Sequence, residues 1–290
     1  MRQIMMIPES ACAKAAALAL LALLFLAAPV AFSGEEAAAG GAEINATKTA
    51  PQYDPAEIIK KMEELMRGDS NYSEMKMTIS NPDWPAPRVY AMKSWEDRKN
   101  DKSFIRITEP ATERGKAFLK AGNVFKVYIP TERENKPITI PPSLMLQPWM
   151  GSDFSNDDLV HESSMIDDYD QVVEGVEQDA QGVKLIKLRL DPKPAAAVVW
   201  GKIVVWVRAE DFIPVREVYY DEDGVMIREM TMSQIKEMSG RKLPTVWEMK
   251  SLEPDKKGRK TVLELDKIEF DVPIDPSTFT DKNLTRRDWE

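Results

Sequence analysis

The 290-residue chain contains one cysteine, Cys12, and one histidine, His161. Cys12 precedes the apolar run AAALALLALLFLAA at residues 15–28, so it falls in a segment expected to be removed on export. Without it the mature protein has no disulfide, no thiolate metal ligand and no thiol nucleophile. A single imidazole would leave zinc with only carboxylates for company. No G-x-S-x-G elbow occurs, so a hydrolase signature is missing as well. Beyond the N-terminal run nothing is apolar enough to span a bilayer, which needs about 20 residues. A basic excess is also lacking. The 39 Lys and Arg are outnumbered by 48 Asp and Glu, for a net charge of −9. The two signs interleave, with no basic stripe to neutralise phosphates, and this excludes a nucleic-acid partner.

What is present begins with a secretory pattern. Arg2 and Lys14 precede the fourteen apolar residues 15–28, and AFS at 31–33 offers the small residues a signal peptidase reads. Residues 1–33 are expected to be a cleaved signal peptide. They carry Arg2, Lys14 and Glu9, a net +1, so the mature chain stands at −9 − 1 = −10. Residues 34–52 are small, polar and without hydrophobic period, and read as a flexible leader. Residues 53–290 form a single domain, long enough to be held by core burial alone.

In YDPAEIIKKMEELMRG, Asp54 suits an N-cap, Pro55 the first helical position and Gly68 the stop. Ile58, Ile59, Met62, Leu65 and Met66 recur on one helical face. From SEMKMTIS onward the period changes to two, through KSFIRIT, NVFKVYI, VKLIKLRL, GKIVVWVR, PVREVYY, VMIREMTMSQI, LPTVWEMKSL and TVLELDKIEF. Turns such as Asp223-Gly224 and Ser239-Gly240 separate them. The fold class is α+β, mainly β: roughly ten strands in one curved antiparallel sheet, with helices against one face. Only residues 130–170, rich in proline, break the rhythm, and they read as a long loop crossing the sheet.

That loop carries GSDFSNDDL at 151–159. Ser155 and Asp158 have the spacing of a capping box, which places Asp157 and Asp158 in a first helical turn. Leu144, Met145, Trp149 and Phe154 would then plug the sheet. A calcium loop counted from Asp153 fails, since its sixth residue is Asp158 and its twelfth Ser164. Metal-dependent or His161-dependent chemistry at residues 153–161 stays open as the lesser alternative. Neighbours such as Asp157–Asp158 and Asp167–Asp168 point apart on a helix and cannot share a substrate. No catalytic residue, metal or cofactor is assigned.

Taken together, ITEPATERGKAFLK (107–120), GSDFSNDDL and the strand pair holding Pro214, Arg216, Tyr219, Tyr220, Asp221 and Gly224 resemble the exported LolA-like family of outer-membrane lipoprotein-sorting proteins. The resemblance covers most of residues 53–288. It implies an open, incomplete antiparallel β-barrel of about ten to eleven strands, with helices over its concave face and a cavity for acyl chains. It also implies a periplasmic, soluble, monomeric carrier that hands lipid or lipoprotein acyl chains toward the outer membrane. An RND- or MMPL-type inner-membrane exporter is the expected partner, and a non-carrying accessory subunit of such an exporter is the alternative. Ser152, Asp153, Phe154, Asn156, Asp157 and Asp158 belong to the family motif, with no role attached. An arginine is expected to close the lid, and Arg88, Arg98 and Arg106 compete for that place.

Methionine adapts to ligands of variable shape, and adaptable apolar surfaces over-use it. Met75 and Met77, Met230 and Met232, and Trp247 and Met249 alternate along strands, as a cavity lining would. Ile79, Ile105, Ile107, Trp149 and Trp206 complete the candidate cavity. Ile58, Met62, Leu65 and Met66 form the candidate lid face.

Overall fold

Asp54 caps the first helix as the sequence predicts, its carboxylate accepting from the Ala56 amide at 3.0 Å. The helix, α1 (Pro55–Arg67), stops at Gly68, whose φ is +66°. There a Cβ would also meet the Asp271 carboxylate at 2.8 Å, so only glycine fits. This computed structural model describes residues 53–287 except 131–135, 146, 161–164, 195, 197 and 199, and excepting the side chains of Pro142, Leu159 and Val160. The expected signal peptide and leader, and His161, lie outside the described residues.

The period-two segments form one antiparallel sheet of thirteen strands. In chain order the first six are β1 (Ser70–Ser80), β2 (Arg88–Asp97), β3 (Lys102–Glu109), β4 (Ala117–Ala121), β5 (Val124–Tyr128) and β6 (Ile138–Ile140). The rest are β7 (Tyr169–Gln178), β8 (Lys184–Pro192), β9 (Lys202–Arg208), β10 (Pro214–Tyr220), β11 (Met226–Met238), β12 (Arg241–Ser251) and β13 (Lys260–Phe270). Their spatial order is β6-β5-β4-β3-β2-β1-β13-β12-β11-β10-β9-β8-β7. Two meanders therefore meet where β1 pairs with β13, and the edges β6 and β7 stay apart, so the barrel is open. The count exceeds the expected ten to eleven because β2 and β4, which are not among the nine alternating segments, join the sheet along with short β6 and edge strand β7 at the borders of the proline-rich stretch. β7 is largely exposed, with one buried residue, Tyr169, and so lacks a clean apolar alternation.

Alternation splits the sheet residues between two faces. On the inner face α1 lays Ile58, Ile59 and Met62 against Ile186 and Leu188 of β8, Val205 and Val207 of β9, and Tyr219 of β10. Burying such side chains contributes roughly 1.5–3 kcal/mol each. Over the other half of that face, Trp149 packs among Met77, Ile79, Met92, Ile105, Ile107 and Phe118. On the outer face of β3–β5, Phe104, Leu119 and Tyr128 are covered by Phe279 and Leu284. These come from the C-terminal segment, which ends in the short helix α3 (Asp281–Leu284). No helix among the described residues is long and apolar enough to cross a membrane.

Candidate functional site

The connection from β6 to β7 must travel from one sheet edge to the other, and its contacts trace the route. Trp149 meets Phe118 of β4 edge-on, with ring centroids 5.1 Å apart. Asp153 then binds Thr261 of β13: its amide donates to Oγ1 at 2.9 Å, and that hydroxyl donates to Oδ2 at 2.7 Å. Asp158 meets Arg228 of β11, whose Nη1 and Nη2 donate to its two carboxylate oxygens at 2.7 Å each. Further on, Met165 and Ile166 join the cluster beneath α1. The SDFSNDD motif is thus the set of anchors that ties this crossing segment to the inner face.

Local chemistry shapes each anchor. Met150 and Gly151 both take positive φ, 51° and 78°, and the turn they make brings the Trp149 amide to the Phe154 carbonyl at 2.7 Å. Ser155 and Asp158 form the expected capping box at the start of α2 (Asn156–Val160). The Ser155 amide and hydroxyl donate to Asp158 Oδ2 at 2.7 and 2.8 Å, and the Asp158 amide donates back to Oγ at 3.1 Å. Asn156 donates from Nδ2 to the Leu144 carbonyl at 3.0 Å, and the Asp157 amide donates to that of Met145 at 2.8 Å. Ser152 and Phe154 are buried.

The Arg228 guanidinium is buried between two rings, 4.2 Å from the Trp200 centroid and 4.1 Å from that of Tyr219. Burial pushes Asp158 upward, but the Arg228 bonds and charge, with the bonds from Ser155, hold its carboxyl below the usual range. Behind the pair, Tyr219 Oη donates to Glu217 Oε2 at 2.7 Å. Burial raises both of those groups. Asp153 is also raised by burial, against the opposing effects of Thr261, Arg259 and Lys256. Among the described residues, no three of His, Cys, Asp or Glu stand together as a metal site requires.

Cross-strand register collects the candidate cavity residues into rows. Tyr90, Met77, Leu263, Trp247 and Met232 are successive partners across β2, β1, β13, β12 and β11. Ile79, Thr261, Met249, Met230 and Glu217 form the next row, reaching β10. Met92 links Met75 to Ile107, and Ile105 lies opposite Phe118. Met77, Met232 and Met249 are buried, while Met75, Met230 and Trp247 are half-buried. Of the lid candidates, Ile58 and Met62 are buried; Leu65 is half-buried, and Met66 packs toward Leu243 and Leu265. One end of this strip packs with Trp149, through Met77, Ile79, Tyr90 and Met92, while Met75 and Trp247 share a cluster with Met66 of α1.

Trp206 requires a correction, because it belongs to the outer face. Its neighbours Val205 and Val207 face α1, so alternation turns Trp206 away. There its Nε1 donates to Glu177 at 2.6 Å, and Arg216 stacks on its ring at 4.5 Å. None of the three arginines weighed for the lid meets the motif in the contacts seen here. Arg106 is on the outer face and donates to the Asn283 and Arg286 carbonyls. Arg98 reaches Glu63 of α1 at 3.7 Å, and Arg88 lies over the Trp84 ring at 3.8 Å. Arg228 is the residue that sequence reasoning passed over. Its signal was present: a charge in phase with Met230 and Met232, which demands a buried carboxylate.

At one end of the strip opens a cleft of about 510 Å³, within the usual size for ligand sites. Ile79, Trp84, Phe154, Trp200 and Ile227 supply its apolar wall, with Arg228, Lys256 and Arg259 among the polar residues.

An open sheet of this order, with a helix and a crossing segment over its inner face, defines the LolA-like class of fold. A family model described as "Uncharacterized protein"-like matches residues 99–286, more than half of the chain, and the chain belongs to that family. No curated protein matches it. Among solved structures it is similar to a DUF1329 family protein from Desulfovibrio piger, at TM-score 0.70 and 23% identity, over 80% of this chain and 100% of that one. It is also similar to a LolA superfamily protein from Nitrosomonas europaea, at TM-score 0.65 and 22% identity, over 80% and 99%. A third is an outer membrane lipoprotein-sorting protein domain from Vibrio parahaemolyticus, at TM-score 0.67 and 21% identity, over 80% and 98%. At such identities the likeness is one of fold.

Proposed function

We propose that the protein is a periplasmic carrier that takes lipid or lipoprotein acyl chains between the sheet and its covers and passes them toward the outer membrane. The observation that carries this reading is the methionine- and tryptophan-lined strip on the inner face, which meets Trp149 at one end and Met66 of α1 at its middle. An ordinary core would bury all of it, whereas here Met75, Met230 and Trp247 remain partly open. The Trp149 indole N–H has no acceptor among the described residues. A buried, unmatched donor costs about 1–3 kcal/mol, so the plug gives up little when an acyl chain displaces it. The N-terminal secretory pattern and the names of the Nitrosomonas and Vibrio relatives support the compartment and the cargo class. An RND-type exporter is the partner from which such a carrier would receive its load.

Native mass spectrometry of protein purified from periplasm without detergent, followed by lipid extraction, tests the reading. A stoichiometric lipid is expected. An empty protein that also refuses a fluorescent fatty acid would instead favour the accessory-subunit reading. In the same assay Met62→Asp, which puts a charge on the buried face of α1, should weaken retention at least tenfold. Unchanged retention in a folded variant would remove α1 from the role of lid.

A further inference from the structure

The cleft beside the crossing segment has a polar mouth that acyl chains alone do not require. Five charged residues line it: Asp153, Arg228, Glu253, Lys256 and Arg259. Four of them are engaged at close range. Asp153 is bound by Thr261, Arg228 is matched to Asp158, and Lys256 pairs with Glu253. Arg259 makes one long ion pair, 3.9 Å to Asp83, whose side chain is 81% exposed, and its charge also acts on the Asp153 carboxyl in the same lining. An exposed pair of that length contributes almost nothing, so Arg259 can turn to a new anion at little cost.

Its surroundings reinforce the sign. The turn joining β12 to β13 holds Lys256, Lys257 and Arg259 against Glu253 and Asp255, an excess of one cation on a chain of net charge −9, while Lys260 beyond it is turned to Glu248 on the other face at 2.8 Å. Ile79, Trp84, Phe154 and Ile227 line the same cleft. A cationic rim over an apolar wall is the complement of a molecule with one anionic group on a hydrocarbon chain.

We infer that the cleft is a headgroup site for an anionic amphiphile, with Arg259 contacting its carboxylate or phosphate and the chain running inward from Ile79 along the methionine rows. This rests on the carrier reading and narrows its cargo to acidic lipids. Arginine suits the task because its planar fork matches the two oxygens of either anion.

The test compares a fluorescent fatty acid with the fatty alcohol of the same chain length and label, on the wild type and on Arg259→Gln. The wild type should bind the acid about tenfold more tightly than the alcohol, as loss of one charge-assisted contact implies. In Arg259→Gln the acid should fall to the level of the alcohol, whose own affinity stays the same. Arg259→Glu should reverse the preference. Equal binding of acid and alcohol by the wild type, or an undiminished preference in Arg259→Gln, would overturn the headgroup site while leaving the carrier reading in place. Binding of neither probe would remove the carrier reading itself. Full displacement of the acid by inorganic phosphate alone would show an anion site with no use for the chain, and would overturn the proposal too.

Discussion

The two halves of the sheet are covered by different means. On β3–β5 both faces are buried by the chain itself, Trp149 inside and Phe279 with Leu284 outside. On β7–β11 it is the inner face that has such a cover, α1 together with Met165 and Ile166 of the crossing segment. The outer face there is closed by long charged side chains. Arg216 lies over Trp206 and pairs with Glu229 at 2.7 Å, and Lys187 pairs with Glu174 at 2.9 Å. Aliphatic stems can shield a ring in this way while their heads stay in water. The first half is thus a three-layered clamp around β3–β5, and the second a two-layered wall whose main apolar cover is a helix. On the carrier proposal, the half with fewer layers is the one suited to give way to cargo.

The largest effect should come from the link between the halves. Asp158→Ala leaves the Arg228 guanidinium buried and unmatched, which costs about 3–5 kcal/mol, read as a fall in midpoint on chemical unfolding. This loss has a pH signature. The carboxyl of Asp158 is held below its unfolded value of 3.8, so its contribution is present above that pH and fades as pH falls through the folded value. Wild type and variant should accordingly converge in acid, and parallel curves would argue against the pair as an anchor.

Next in size is Phe279→Ala, expected to cost about 3 kcal/mol by emptying the outer layer of the first half. Its failure to destabilise would mean that the C-terminal segment is not part of the clamp. Smallest is Arg216→Ala on the matching face of the second half. An exposed ion pair contributes about 0.2–1 kcal/mol, and that difference should shrink further in 1 M salt. A cost near that of Phe279→Ala would erase the contrast between the halves.

Much of this arrangement was legible before any coordinates. Asp54, Pro55 and Gly68 bound the first helix because caps are local, and Ser155 with Asp158 announced a helix start for the same reason. Most strands declared themselves by alternation. What stayed hidden depends on partners far along the chain. β7, an edge strand, has one neighbour and little to bury, so its pattern is weak. Trp206 has the composition of a cavity residue, and only its phase relative to Val205 and Val207 shows that it points outward. Asp158 and Arg228 are 70 residues apart, and no local rule joins them. Arg228 is marked as inward-facing by its strand phase with Met230 and Met232, a signal that position along the chain does not carry.

The pairing of β1 with β13 has a temporal consequence. The ladder at the middle of the sheet joins the first strand to the last, as in Thr78 opposite Val262. Closing so long a loop is entropically slow, and non-local ladders retard folding in general. A polypeptide threaded through a translocon with its N-terminus leading could pair β1 with β2 at once but would leave the other edge of β1 open until β13 emerged. The methionine rows, which straddle that seam, would therefore be completed last, and on the carrier proposal no cargo could be collected on the way out.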